Sequence, residues 1–247
     1  MAKINKIFAV GDSYMISPEL KNAEDCWVSL LGRKLNAEIV NDSISSASNY
    51  RNVFQIVKSL KEDYDYYIIL WNPYSRYTFY KNDNNHEVNF NIHMRDSTYG
   101  HEKFFKEFAS SLYKNWFNNL FGFKILLQQI ILTQSLLREH NKQYCMIHGP
   151  EQHLSQWLAP RDEFIAKTKD LINFDMMNDK QILDEYEEIQ YYISLIDTSK
   201  FYGWNTFWMT QLIDKFPTGQ NLHLLEEGNQ YLANVIYNYV QNQISNS

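Results

Sequence analysis

Ile7-Phe8-Ala9-Val10-Gly11-Asp12-Ser13-Tyr14 is an apolar run that stops abruptly at Gly-Asp-Ser, close to the start of the chain. Four apolar residues between Lys6 and Gly11 predict a strand covered on both faces, and Gly11 supplies the backbone freedom for a sharp strand-to-helix turn. Ser13 then stands at the carboxyl end of a strand, where open α/β sheets bind their ligands. Glycine, aspartate and serine are also ordinary turn and helix-cap residues, so the tripeptide acquires chemical meaning only with a partner.

Outward from this segment, strand and helix alternate. Strands are predicted near 6–10, 37–41 and 66–71 and helices near 24–35 and 50–62, the pattern of a parallel sheet with right-handed crossovers. Trp27, Leu30, Leu31 and Leu35 recur at helical spacing, as do Val53, Ile56, Val57 and Leu60, and both sets read as core faces. Tyr144-Cys145-Met146-Ile147-His148-Gly149-Pro150 reads as a fourth strand that ends with His148 at the same sheet edge as Ser13, a candidate substrate contact. Residues 81–101 are polar and aperiodic and predict an insertion overhanging that edge. A helical pattern then runs over 102–140, with Gly122 marking a break or bend. Residues 151–222 hold helical stretches near 161–172 and 179–195 and an aromatic segment from Phe201 to Trp208, with no pattern that fixes their place.

The partner for Ser13 stands at the far end of the chain. Asn221-Leu222-His223-Leu224-Leu225-Glu226-Glu227-Gly228 precedes an apolar-periodic terminal helix. A serine hydroxyl needs a neighbouring base to act as a nucleophile near neutral pH, and imidazole is the side chain best matched to that task. Alone, His223 reads equally as a loop residue packed on the last helix.

Four separate blocks together resemble the SGNH or GDSL hydrolase superfamily. They are Gly11-Asp12-Ser13, the asparagine-led loop Val40-Asn41-Asp42-Ser43-Ile44-Ser45-Ser46-Ala47-Ser48-Asn49, the strand and turn Tyr67-Ile68-Ile69-Leu70-Trp71-Asn72-Pro73-Tyr74-Ser75-Arg76, and His223 with Gly228. A tryptophan after the third strand, an arginine beyond it and the Ser-Asn pair make phage-encoded members the most similar. The resemblance implies a three-layer αβα fold with a central parallel sheet, flavodoxin-like, carrying a helical and loop insertion after the third strand. It places Ser13 as nucleophile, His223 as base, and the Ser13 and Ser46 backbone N–H groups and the Asn72 side chain as oxyanion donors. Asn49 and Arg76 become candidate substrate contacts.

Two departures bear on activity. Members carry an aspartate three residues before the histidine, where this chain has Gln220; replacing the acid of a serine triad by an amide lowers the rate about 10⁴-fold in a serine protease. Gln220 could accept a proton through its carbonyl, or Glu226 or Glu227 could supply charge. Second, Ser46 stands where the family has glycine, at a position that contributes a backbone N–H.

Composition bounds the alternatives. A chain of 247 residues with 45% hydrophobic content predicts one domain over 1–247 around one sheet. The four-residue apolar run before Gly11 is too short for a signal-peptide core, and the longest apolar stretch, Ile125–Leu132, falls short of the ~20 residues of a membrane span. A cytoplasmic or virion-associated protein is therefore expected, with no membrane partner. Cys26 and Cys145 read as reduced core residues. A net charge of −6 without basic blocks disfavours nucleic acid as a partner. His86, His93 and His101 match no metal-ligand spacing and no cysteine or acidic cluster completes a set, so neither metal nor other cofactor is expected.

Two functions follow. The first is a serine ester hydrolase acting by Ser13 and His223 without the usual aspartate, on an acylated glycan or other small ester. The second is a non-catalytic module of the same fold that binds glycan or protein, including other virion proteins.

Overall fold

The computed structural model describes residues 3–80, 87–91, 107, 111, 119–150, 159–171 and 179–245. The strands, numbered in chain order, are β1 (Lys6–Val10), β2 (Glu38–Asn41), β3 (Tyr66–Trp71), β4 (Arg76–Tyr80), β5 (Glu87–Asn91) and β6 (Gln143–His148). β1, β2, β3 and β6 make one parallel sheet in the order β2-β1-β3-β6, with Ile7 opposite both Ile39 and Tyr66. The helices are α1 (Ser13–Ile16), α2 (Trp27–Leu35), α3 (Asn49–Ser59), α4 (Asn119–Glu139), α5 (Arg161–Leu171), α6 (Asp179–Ser194), α7 (Thr210–Ile213) and α8 (Glu226–Ser245).

Alternation along the strands builds two cores. Ile7, Ala9, Ile68, Leu70, Cys145 and Ile147 face one side and pack on Trp27 and Leu31 of α2 and Leu232 and Ile236 of α8. Phe8, Val10, Tyr67, Ile69, Trp71 and Met146 face the other, against Ile56 of α3, Phe123, Leu127 and Ile130 of α4 and Ile182 and Ile189 of α6. Every residue of β3 is buried, and each large apolar side chain so removed from water contributes about 1.5–3 kcal/mol. This is the three-layer αβα arrangement expected from the sequence. Both cysteines are free and buried, and desolvation pushes the Cys145 thiol far above its ordinary pKa.

Several local expectations are corrected. Gly11 is not in a left-handed conformation; a Cβ there would lie 2.4 Å from Met15 Sδ and 2.7 Å from Leu70 Cβ, so the position needs absence of bulk rather than freedom of φ. Gly122 does not break its helix, because α4 runs unbroken through it. The chain turns back directly after β3: Arg76 pairs with Asn91 and Tyr80 with Glu87 in an antiparallel hairpin, so part of the polar insertion is strand. His86, His93 and His101 lie outside the described residues. The stretch Leu120–Glu139 of α4 is longer than the apolar run read from sequence and is long and apolar enough to cross a membrane; half of its most apolar part is buried in the fold, where α4 packs on α3 and α6.

α3 differs most from its expected face. It buries Ile56 but also Asn49, Arg51, Asn52 and Ser59, while Val57 is 49% exposed. Two of them, Asn49 and Asn52, reach backbone at and just beyond the carboxyl end of β3, Asn52 Nδ2 donating to the Leu70 carbonyl at 3.2 Å, while Arg51 pairs with Asp42 and Ser59 donates to the Ile56 carbonyl. Beyond β6 a single bridge, Met146 to Phe201, with the Tyr202 N–H donating to the Met146 carbonyl at 2.9 Å, extends the sheet edge into the segment that had no legible pattern.

Candidate active site

The site gathers at the carboxyl ends of β1, β2 and β3. Asp12 caps α1: its side chain accepts the Tyr14 N–H at 2.9 Å, and its carbonyl accepts the Met15 N–H at 3.0 Å. Ser13 becomes the first residue of α1, 8% exposed, with one of the N–H groups that a helix leaves without an internal partner. Arg76, a candidate substrate contact, has a partner within the protein. Its guanidinium is ion-paired with the fully buried Asp12 carboxylate, bracing the turn before Ser13.

The loop after β2 is fastened to α1, since Asn41 Nδ2 donates to the Met15 carbonyl at 3.0 Å. A turn closed by Ala47 N–H to the Ile44 carbonyl puts Ser46 at φ 62°, the left-handed region that favours glycine. Ser46 thus holds a backbone conformation that glycine adopts more readily than serine. Among the described residues no partner meets the Ser46 N–H.

Asn49 and Asn72 form one unit. Asn49 Oδ1 accepts the Asn72 N–H at 2.6 Å, Asn49 Nδ2 donates to the Asn72 carbonyl at 2.8 Å, and Asn72 Nδ2 donates to the Ala47 carbonyl at 2.7 Å. Asn49 is 3% exposed and Asn72 fully buried. Asn49, a candidate substrate contact, fixes the backbone that carries Asn72.

His148 is likewise not at an open face. Its ring is fully buried, stacked 4.7 Å from the ring of Phe201 and 5.2 Å from Trp204, on the core side shared with Trp71. The segment from Phe201 to Trp204, unplaced by sequence, is what covers it.

His223 arrives on a tight loop before α8. Gly219 N–H donates to the His223 carbonyl at 2.9 Å, Leu222 N–H to the Gly219 carbonyl at 3.2 Å, and Leu222 sits at φ 63°. The His223 ring packs 5.1 Å from the ring of Tyr14, the residue after Ser13, and Tyr14 Oη donates to the Leu222 carbonyl at 3.3 Å. No hydrogen bond joins Ser13 Oγ to His223 Nε2 in this structure; such contacts are commonly long in unliganded sites and tighten with substrate.

A carboxylate does meet His223, from a residue the sequence did not single out. Glu19 Oε2 lies 2.8 Å from His223 Nδ1. The same carboxylate accepts the Asn221 N–H at 3.0 and 3.1 Å and the His223 N–H at 3.3 Å. Desolvation would raise the Glu19 pKa, but the Asn221 N–H, the His223 side chain and N–H, and the imidazole charge outweigh it and hold the carboxyl below its usual range. Gln220 is exposed and does not meet the ring; Glu226 and Glu227 sit exposed in the first turn of α8, where they suit its N-terminus. Local spacing gave no signal for Glu19, which is 204 residues from its partner.

Beside the site, the N-terminus of α3, β4 and α4 enclose a cavity of about 300 Å³ lined in part by Tyr50, Tyr74, Tyr77, Phe121 and Ile125. Asn49 and Arg76 also face it, so its wall is shared with the groups that hold Asn72 and Asp12. Among the described residues no cluster of His, Cys, Asp and Glu could hold a metal.

No family model matches the chain, and no curated protein matches it in sequence. Solved structures do match in shape. The psychrotrophic esterase EstA from Pseudoalteromonas sp., solved after inhibition by monoethylphosphonate, aligns over 98% of this chain and 99% of its own with a TM-score of 0.50 at 11% identity. A member of the lipolytic protein G-D-S-L family from Veillonella parvula aligns over 92% and 93%, with a TM-score of 0.44 and 11% identity. A carbohydrate esterase family 2 enzyme from Corynascus thermopiles aligns over 98% and 67%, with a TM-score of 0.49 and 8% identity. The chain has the αβα fold of the SGNH/GDSL hydrolases.

Proposed function

We propose that this protein is a serine ester hydrolase in which Ser13 is the nucleophile and His223 the general base. The observation that carries the reading is the packing of the His223 ring on Tyr14, which is 209 residues earlier in sequence and directly follows Ser13 in α1. The shape shared with an esterase over nearly the whole chain supports it. So does the left-handed backbone at Ser46, which keeps an N–H donor in the loop despite the missing glycine.

In the first step the Ser13 Oγ–H proton passes to His223 Nε2 as Oγ bonds to the ester carbonyl carbon. Negative charge moves to the carbonyl oxygen, for which the donors are the Ser13 and Ser46 N–H groups and the Asn72 side-chain amide. Collapse of this intermediate breaks the C–O bond to the alcohol, which leaves with the proton from Nε2. Water then attacks the acyl-Ser13 ester by the same route, and carboxylic acid is released. One such donor contributes about 10²–10³ in rate. The aromatic cavity of about 300 Å³ supports a small acyl or sugar moiety as the bound group, in an acylated glycan or another small ester.

A fluorophosphonate probe tests the reading, because it reacts only with an activated serine. Labelling of the wild type that vanishes in Ser13→Ala and in His223→Ala, with parallel loss of short-chain aryl ester turnover, is the expected result. An unlabelled wild type would instead leave a binding module with a hydrolase fold.

A further inference from the structure

The geometry points to Glu19 as the acid of this site: a positioning residue that replaces the aspartate missing before His223 and does so from the opposite end of the chain. The inference rests on the Ser13–His223 reading and adds what makes that pair workable.

Three independent features build the contact. Glu19 stands in a Ser-Pro-Glu-Leu turn directly after α1, with Leu20 N–H donating to the Ser17 carbonyl at 3.1 Å and Pro18 at the second position, where its fixed φ suits a turn. The turn aims the carboxylate into the loop that carries His223. That loop is shaped around it: Asn221 N–H and His223 N–H both point at the carboxylate, with left-handed Leu222 between them, the backbone alternation that forms an anion-holding concavity. Gly219 completes the fit, since a Cβ there would lie 2.5 Å from Glu19 Cδ and 2.6 and 2.7 Å from its oxygens.

A carboxylate on Nδ1 has a defined chemical effect. It accepts a hydrogen bond from Nδ1–H, so neutral His223 keeps its proton there and presents the Nε2 lone pair to the Ser13 hydroxyl. When Nε2 takes that proton, Glu19 stays ionised and stabilises the imidazolium. The Glu19 side chain is 16% exposed and that of His223 10%, so the pair is largely shielded from solvent screening. An amide in its place could donate to Nδ1 and favour the opposite tautomer, which has its proton on Nε2.

The test therefore reads the tautomer as well as the rate. Imidazole ¹⁵N shifts are measured in the wild type, Ser13→Ala, Glu19→Gln and Glu19→Asp, at a pH where the ring is neutral, beside aryl ester turnover and circular dichroism. The wild type and Ser13→Ala are expected to hold the Nδ1–H form. Glu19→Gln is expected to shift toward Nε2–H and to lose about 10²–10⁴ in kcat with little change in KM. Glu19→Asp should restore the Nδ1–H form and part of the rate. An Nε2–H wild type would overturn the inference even if Glu19→Gln failed to fold. An unchanged tautomer in a folded Glu19→Gln would overturn it too, whatever the rate. The Ser13–His223 reading fails separately, by turnover that survives in Ser13→Ala.

Discussion

At the scale of single residues, Ser46 stands out for its backbone rather than its side chain. Ser46 holds a left-handed conformation that costs a non-glycine residue about 1–2 kcal/mol, and what the reading asks of it is only an N–H. Ser46→Gly should retain turnover within about threefold and change unfolding free energy by less than about 1 kcal/mol, since relief of strain is offset by greater freedom of the unfolded chain. Urea titration and aryl ester kinetics check both. Ser13, Ser46, Asn72 and His223 could be singled out as candidates because each lies in a local motif with a turn or a strand end to anchor it. Glu19 was not, because a glutamate after a proline turn carries no mark of a contact made 204 residues away. Asn49 and Arg76 were legible as candidates near the site, but the bonds by which they hold Asn72 and Asp12 were not, because spacing does not mark a contact between distant segments.

Between elements, the join that matters is made by a buried asparagine. Asn229, fully buried in α8, accepts Ser17 Oγ–H at 3.0 Å and Trp27 N–H at 2.9 Å through Oδ1, and donates from Nδ2 to the Leu224 carbonyl at 2.7 Å and the Leu225 carbonyl at 3.1 Å. One side chain thus ties the end of α1, the start of α2 and the loop of His223. Asn229→Ala strands several buried polar groups and should cost about 3 kcal/mol, seen as a lower urea midpoint, with turnover falling at denaturant concentrations the wild type tolerates. Strand and helix identities were readable from apolar runs and spacing, as in β1, β3 and α2. The inward polar face of α3 was not, because Asn49 and Asn52 are buried by hydrogen bonds to β3 and periodicity counts only apolar residues. For the same reason the bridge at Phe201 escaped notice, a one-residue extension being too short to show a period.

Over the whole molecule, acid should loosen the site through Glu19. Its folded pKa is lowered, so its contribution to stability is present above the usual carboxylate range and is lost as pH falls through that range toward the lowered value. Urea midpoints measured in steps through that window should drop more steeply for the wild type than for Glu19→Gln; parallel curves would mean the carboxylate does not stabilise the fold. The sheet order and the two-sided core follow from the alternating strand and helix pattern, and they account for why residues from four distant blocks meet at one edge.

Ser13 opens a helix of four residues and Glu19 follows that helix by three, so in the proposed reading nucleophile and acid are carried by one short stretch of chain. The three groups of that reading come from two stretches of chain rather than three. Their relative alignment then depends on the seating of the loop at 217–225 on Tyr14 and Glu19. A substitution that unseats this loop is expected to withdraw His223 while leaving Ser13 and Glu19 in register.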